Sequence, residues 1–362
     1  MTLQDKEQLI TDVKRESLSE PALYPMENFL LADQKIFSSK FLTDDLEKTV
    51  QECIENGCLI IFNEMPVNAY AYTRKGYSVV AITFGSIYKC IYAANLFMLS
   101  KDYFPDIGDV RACYSNVTAA AYPPKVGKGG EVSFHESGDD ERRDAGYIIA
   151  AFAMKYIVYH EIGHHALGHL QKYNHVLGLE CGEAGEGMRS RISPDEFKLI
   201  EMGADIYAIQ KLVGEFDELS QRWSPYFEVP LGHLELALLL MTALVIVKEN
   251  MNEELLSVKE IDDSAYPPMI MRLVVSLYIT LETDKKLPDE YRQALILSAE
   301  VEWKESAAVN IDDESLKDML MDYMINAVVS FEQIYADIFL GRHDQEVFQS
   351  DFLGSEWWHG LK

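Results

Sequence analysis

From residue 147 to 167 apolar side chains fall on every face of a helical projection instead of on one stripe, the pattern of a helix buried on all sides. Asp139 and Asp140 precede it, where acids suit the positive end of the helix dipole, so the helix is expected to begin after them and to end by Gly178. Upstream the patterns are shorter. Thr43 can cap a helix with Asp44 and Asp45 in its first turn and Gly57 past its end. Residues 58–62 form an apolar run of strand length. Residues 67–72 and the β-branched run 78–83, joined by a turn at Lys75-Gly76, predict a hairpin. Gly85 opens a helical stretch to about residue 100.

Residues 105–140 carry Pro123-Pro124, Gly127, Gly129-Gly130, Gly138 and charge without any period, and read as an insertion able to act as a lid. Further on, Ser193 can cap a helix, with Pro194 in its first position and Glu196 completing a capping box. Helical patterns follow over 231–247, 269–281, 291–303 and 316–339. The expected fold is α+β, mostly helical, with a small antiparallel sheet beside the long buried helix. Three stretches are expected: an N-terminal helical segment (1–57), a central domain (58–285), and a C-terminal helical extension packed on it (286–362).

Composition narrows the classes. With 362 residues, 48% of them hydrophobic, and no low-complexity tract, the whole chain reads as globular. The first thirty residues lack an apolar signal core, which argues against secretion. The longest apolar run, 236–247, falls short of the roughly 20 residues a membrane helix needs, and reads as a buried helix. Five cysteines in no paired metal spacing suit reduced thiols in the cytoplasm. A net charge of −27 excludes nucleic acid as an expected partner, since phosphate binding needs a basic surface.

The candidate chemistry lies inside the buried helix, at His160-Glu161-Ile162-Gly163-His164. Residues i and i+4 share a helix face, so both imidazoles can aim at one point with Glu161 close by. Catalytic Zn²⁺ takes three protein ligands and leaves a position for water, whose proton a neighbouring carboxylate can remove. One zinc per chain is expected, held by His160 and His164, with Glu161 as general base. A third ligand of the metzincin kind would require His at 170 and Gly at 167, and both are leucine. Gly168 and His169 stand near that register but outside it. Glu201, in Glu201-Met202-Gly203-Ala204-Asp205, is the better candidate. Asp205, one turn on, would accept the free N–H of a zinc-bound histidine. Two acids a turn apart are also common on the surface of so acidic a chain, and His169 or Asp205 stand as alternative ligands. His135, His175, His233, His343 and His359 read as ordinary surface or packed histidines.

In order, these segments resemble the gluzincin metallopeptidases of the HtpX and CAAX-prenyl-protease type. Asn68-Ala69-Tyr70-Ala71, the run 79–85, HExxH at 160–164, ExxxD at 201–205 and Tyr266-Pro267-Pro268 followed by Arg272 are similar to that family's succession of motifs, over roughly 60–285. The resemblance implies a zincin-like fold, with Asn68, Ala69 and Tyr70 on a cleft edge that pairs with an extended peptide. It implies an oxyanion-stabilising role at the position of Tyr266, where the family has histidine and a phenol can also donate. It implies a structural ion-pair role for Arg272. The family's membrane helices are missing here. The function this implies is a soluble zinc-dependent endopeptidase of narrow specificity, acting on a protein or peptide through a metal-bound water. Phage-exclusion peptidases of the Lit type also carry HExxH in a soluble cytosolic chain. The alternatives are a catalytically inactive zincin scaffold with a binding or regulatory role, and a metal-dependent hydrolase of another substrate class.

Overall fold

The computed structural model describes residues 39–63, 67–74, 76–115, 117–126, 132–172 and 194–250. Its elements in chain order are α1 (Ser39–Cys53), β1 (Gly57–Phe62), β2 (Ala69–Arg74), β3 (Tyr77–Thr83), α2 (Phe84–Leu99), β4 (Lys125–Val126), β5 (Val132–Ser133), α3 (Asp140–Ala166), α4 (His169–Lys172), α5 (Pro194–Gly214), α6 (Phe216–Trp223) and α7 (His233–Asn250). The fold is α+β and mostly helical. Among the described residues, no helix is long and apolar enough to cross a membrane. Tyr266, Arg272, Ser193, residues 1–38 and the helices expected after residue 250 lie outside the described residues.

The hairpin forms where the alternation predicts it, β2 antiparallel to β3 with Arg74 opposite Tyr77. Gly76 takes the left-handed conformation (φ 81°) that the tight connection requires. The sheet is not wholly antiparallel, however. Its order is β1-β3-β2, and β1 runs parallel to β3, from Gly57 opposite Ser78 to Phe62 opposite Thr83. Burial explains the arrangement: β3 is buried continuously from Val79 to Thr83 and takes the centre, while β2, partly exposed over Ala69, Tyr70 and Ala71, is left at an edge.

Thr83 ends β3 and caps α2, its hydroxyl accepting from the Ser86 amide at 3.3 Å. α2 thus begins at Phe84, one residue before Gly85. α3 is the hub, buried on nearly all its surface from Arg142 to His164 and packed against α2, α5, α7 and the sheet. It starts one residue earlier than expected, at Asp140, because Asp139 caps it, accepting from the Arg142 amide at 3.0 Å, with Asp140 and Glu141 in the first turn. It stops at Ala166 because Gly168 turns left-handed (φ 72°), with the Leu167 amide bonded to Gly163 O at 2.9 Å. His165 reaches sideways, its Nε2 3.1 Å from the Val79 carbonyl, and so ties the end of α3 to the central strand.

The described part of 105–140 is fastened to this body at several points. Tyr114 N donates to Leu99 O at 2.9 Å, and Tyr92 Oη donates to the carbonyls of Ala119 (2.9 Å) and Tyr122 (3.1 Å). Tyr147 Oη donates to Glu136 at 2.6 Å. Arg142, fully buried, spreads its guanidinium over five carbonyls between Met98 and Ile107 at 2.8–2.9 Å.

Candidate metal centre

Two helices make the site, and a glycine lets them approach. A Cβ on Gly163 would lie 3.0 Å from Ala204 Cα and 3.3 Å from Ala204 O, so α3 and α5 touch almost backbone to backbone at this point. Glu201 and Asp205, on either side of Ala204 in sequence, are thereby carried onto the face of α3 that bears His160 and His164. Gly163→Ala should force the helices apart and cost about 1–3 kcal/mol by overpacking, with metal affinity falling as Glu201 retreats. Urea unfolding of the metal-free protein beside a zinc titration would measure the two effects separately.

The converging atoms are His160 Nε2, His164 Nε2 and the Glu201 carboxylate. The two nitrogens are 3.2 Å apart, Glu201 Oε2 is 3.3 Å from His160 Nε2, and Glu201 Oε1 is 3.7 Å from His164 Nε2. All three residues are buried, and among the described residues this is the one group of candidate ligands found to converge. Atoms held at about 2.0–2.1 Å by a tetrahedral ion are spaced about 3.3–3.4 Å from one another, so the donor types suit a metal such as zinc and two of the three contacts lie near that spacing, the third, from the other Glu201 oxygen, being a few tenths of an ångström longer.

Behind the three converging residues stands a second layer. His160 Nδ1 lies 2.8 Å from Asp205 Oδ1, which also accepts from Tyr156 Oη at 2.6 Å. His164 Nδ1 lies 2.9 Å from the Nδ1 of His169. Glu161, the residue expected to act as base, is buried on the same turn of α3.

The electrostatics are those of a cation site. Burial opposes charge on His160, but the hydrogen bonds and charges of Asp205 and then Glu201 outweigh it and raise its pKa to about 10. For His164 burial prevails, against the pull of Glu201 and aided by the charge of His160, and the pKa falls to about 3. Burial likewise holds His169 well below the usual histidine range. The pocket therefore favours one positive charge among its carboxylates while keeping the second imidazole neutral.

Ala69 and Tyr70 open β2 and Asn68 stands just before it; β2 is an edge strand among the described residues and packs against α3 and α4. Asn68 is pinned from both sides, its N–H donating to Thr83 Oγ1 (3.1 Å) and Ser86 Oγ (3.0 Å) while its carbonyl accepts from the Thr83 amide (3.0 Å) and Ser86 Oγ (2.9 Å). Its side-chain amide donates to Tyr70 Oη at 2.7 Å. His160 and His164 share one face of α3, and the structure brings Glu201 and Asp205 of α5 against it. The sequence reading missed Gly163, Tyr156 and the true position of His169, which faces the far nitrogen of His164 and stays out of the ligand cluster. Gly168, a helix breaker directly before His169, is the signal that chain reversal sets the histidine back against the helix.

A family model described as Peptidase U49 matches residues 85–286, more than half of the chain, running from the first turn of α2 past the end of α7. No curated protein and no solved structure matches.

Proposed function

The chain belongs to the Peptidase U49 family, and from that premise we propose that it is a zinc-dependent endopeptidase of the gluzincin type, with His160, His164 and Glu201 as ligands. The observation that carries the proposal is the convergence of two buried imidazole nitrogens and a carboxylate at the mutual spacing a tetrahedral ion requires. Zinc, when bound, supplies a Lewis acid that polarises the scissile carbonyl and acidifies water. Glu161 takes the proton of the attacking water and returns it to the departing amine. Asp205, itself held by Tyr156, accepts from Nδ1 of His160 and keeps Nε2 free to coordinate. The outer edge of β2, with Asn68, Ala69 and Tyr70 where the chain enters it, is the side along which an extended peptide chain would lie; the backbone groups of Asn68 are themselves taken up by Thr83 and Ser86, so Asn68 would fix that edge and not pair with the peptide. By the resemblance to the gluzincins, Tyr266 would donate to the developing oxyanion and Arg272 would be an ion-pair partner; both lie outside the described residues. Cys53, Cys58, Cys90 and Cys113, in no disulfide among the described residues, suit a reducing compartment such as the cytoplasm.

Metal analysis of the purified protein beside Glu201→Ala tests the centre. About one zinc per chain is expected in the wild type, in line with three protein ligands per catalytic zinc, with most of it lost from the variant. A wild type that takes up no zinc even after it is added back would overturn the proposal. A variant with full zinc content would move the third ligand to another residue.

A further inference from the structure

A zinc-bound imidazole uses one nitrogen for the metal and carries its proton on the other, and that N–H needs an acceptor. The two ligands of this centre meet the requirement differently. His160 has a carboxylate, Asp205, at 2.8 Å. His164 has another imidazole, the Nδ1 of His169 at 2.9 Å. Two ring nitrogens at this distance share one proton between them. With Nε2 of His164 directed into the ligand cluster, the shared proton belongs to His164 Nδ1, and His169 receives it on a lone pair.

We propose that His169 is a positioning residue for the metal centre, accepting a hydrogen bond from Nδ1 of His164 and so holding its Nε2 lone pair toward the ion. The proposal rests on the assignment of His164 as a zinc ligand. Its chemistry defines the tautomer of His169: Nδ1 bare, Nε2 protonated, the ring neutral. The fold enforces the contact. His169 is fully buried at the start of α4, immediately after the left-handed Gly168. An i+5 residue on a continuing helix would point away from His164. The turn at Gly168 places it against the ring instead. A neutral acceptor also suits this position electrostatically. Glu161, Glu201 and Asp205 are already buried here, and a further carboxylate would add like charge to a dry pocket.

The experiment compares full-length wild type, His169→Leu and His169→Asn, each stripped of metal and titrated with zinc against a chromophoric chelator. Leucine fills space without accepting, whereas the asparagine side-chain oxygen can take the place of Nδ1. His169→Leu should weaken zinc binding about 10–100-fold, and His169→Asn should restore most of the loss. The melting temperatures of the two metal-free variants should match each other. Zinc binding of wild-type strength in His169→Leu would overturn the proposal, as would equal weakening in both variants, which would mark His169 as packing alone. Should His169→Leu fail to fold, ¹⁵N-histidine NMR of the zinc-loaded wild type decides. Protons on His164 Nδ1 and His169 Nε2 are expected, and the opposite pattern overturns the proposal. A wild type that binds no zinc would instead remove the metal assignment itself, an outcome distinct from all of these.

Discussion

Glu161→Gln should leave about one zinc per chain in place while lowering the rate of peptide cleavage by about 10²–10⁴-fold, the range a positioned general base contributes. The amide keeps the size and the hydrogen-bonding reach of the carboxylate but has no basic lone pair to take a proton from water. Metal retention is expected because the converging donors come from His160, His164 and Glu201, without Glu161. Cleavage of an unfolded protein substrate, followed by mass spectrometry, would be measured beside zinc content on the same preparations. Undiminished cleavage would remove Glu161 from the base role. Loss of zinc together with activity would make it part of the metal's support.

What the sequence reveals of this site depends on whether the partners share one element. His160 and His164 are legible because four residues of helix bring them to one face. Glu201 and Asp205 are legible by the same rule. That the two pairs meet is a fact about α3 crossing α5, and it hangs on Gly163 opposite Ala204, two small residues with no pattern of their own. The strands show the same division. Alternation and β-branching locate β2 and β3 and their hairpin, yet which strand takes the middle is decided by burial across the sheet. That is why a small antiparallel sheet was expected and a mixed one is found. His169 escaped because helical register was continued through Gly168, where the chain in fact turns. Arg142 escaped altogether: an arginine just after several acids reads as a surface charge, and its five acceptors lie 35 to 44 residues earlier in the chain.

That arginine carries the largest stability effect expected in the described fold. Arg142→Met should destabilise the protein by about 3–5 kcal/mol, a large part of the 5–15 kcal/mol typical of a folded domain. Methionine can occupy much of the same volume, so the loss isolates hydrogen bonding from packing. The carbonyls of Met98 and Ser100, at the C-terminal end of α2, are bonded in fully buried contacts and would lose the guanidinium, at about 1–3 kcal/mol each, Met98 keeping only the weak donor of the Cys113 thiol at 3.6 Å. Those of Tyr103, Phe104 and Ile107 are only partly buried and can turn to water, which limits their share. Gly108 (φ 62°) offers no slack, because a Cβ there would meet Asp139 and Arg142. Arg142→Lys should recover only part of the loss, since an ammonium brings three donors where the guanidinium brings five in a fixed plane. Urea unfolding would read both variants, and a change within 1 kcal/mol for Arg142→Met, about the cost of a single ordinary hydrogen bond, would show that the loop supports itself. Zinc affinity gives the control. His160 lies 18 residues further along α3, about 27 Å at the rise of a helix, so the folded fraction of Arg142→Met should bind metal as the wild type does. A parallel loss of zinc affinity would instead mean that the anchored end of α3 governs the position of the metal ligands at its other end.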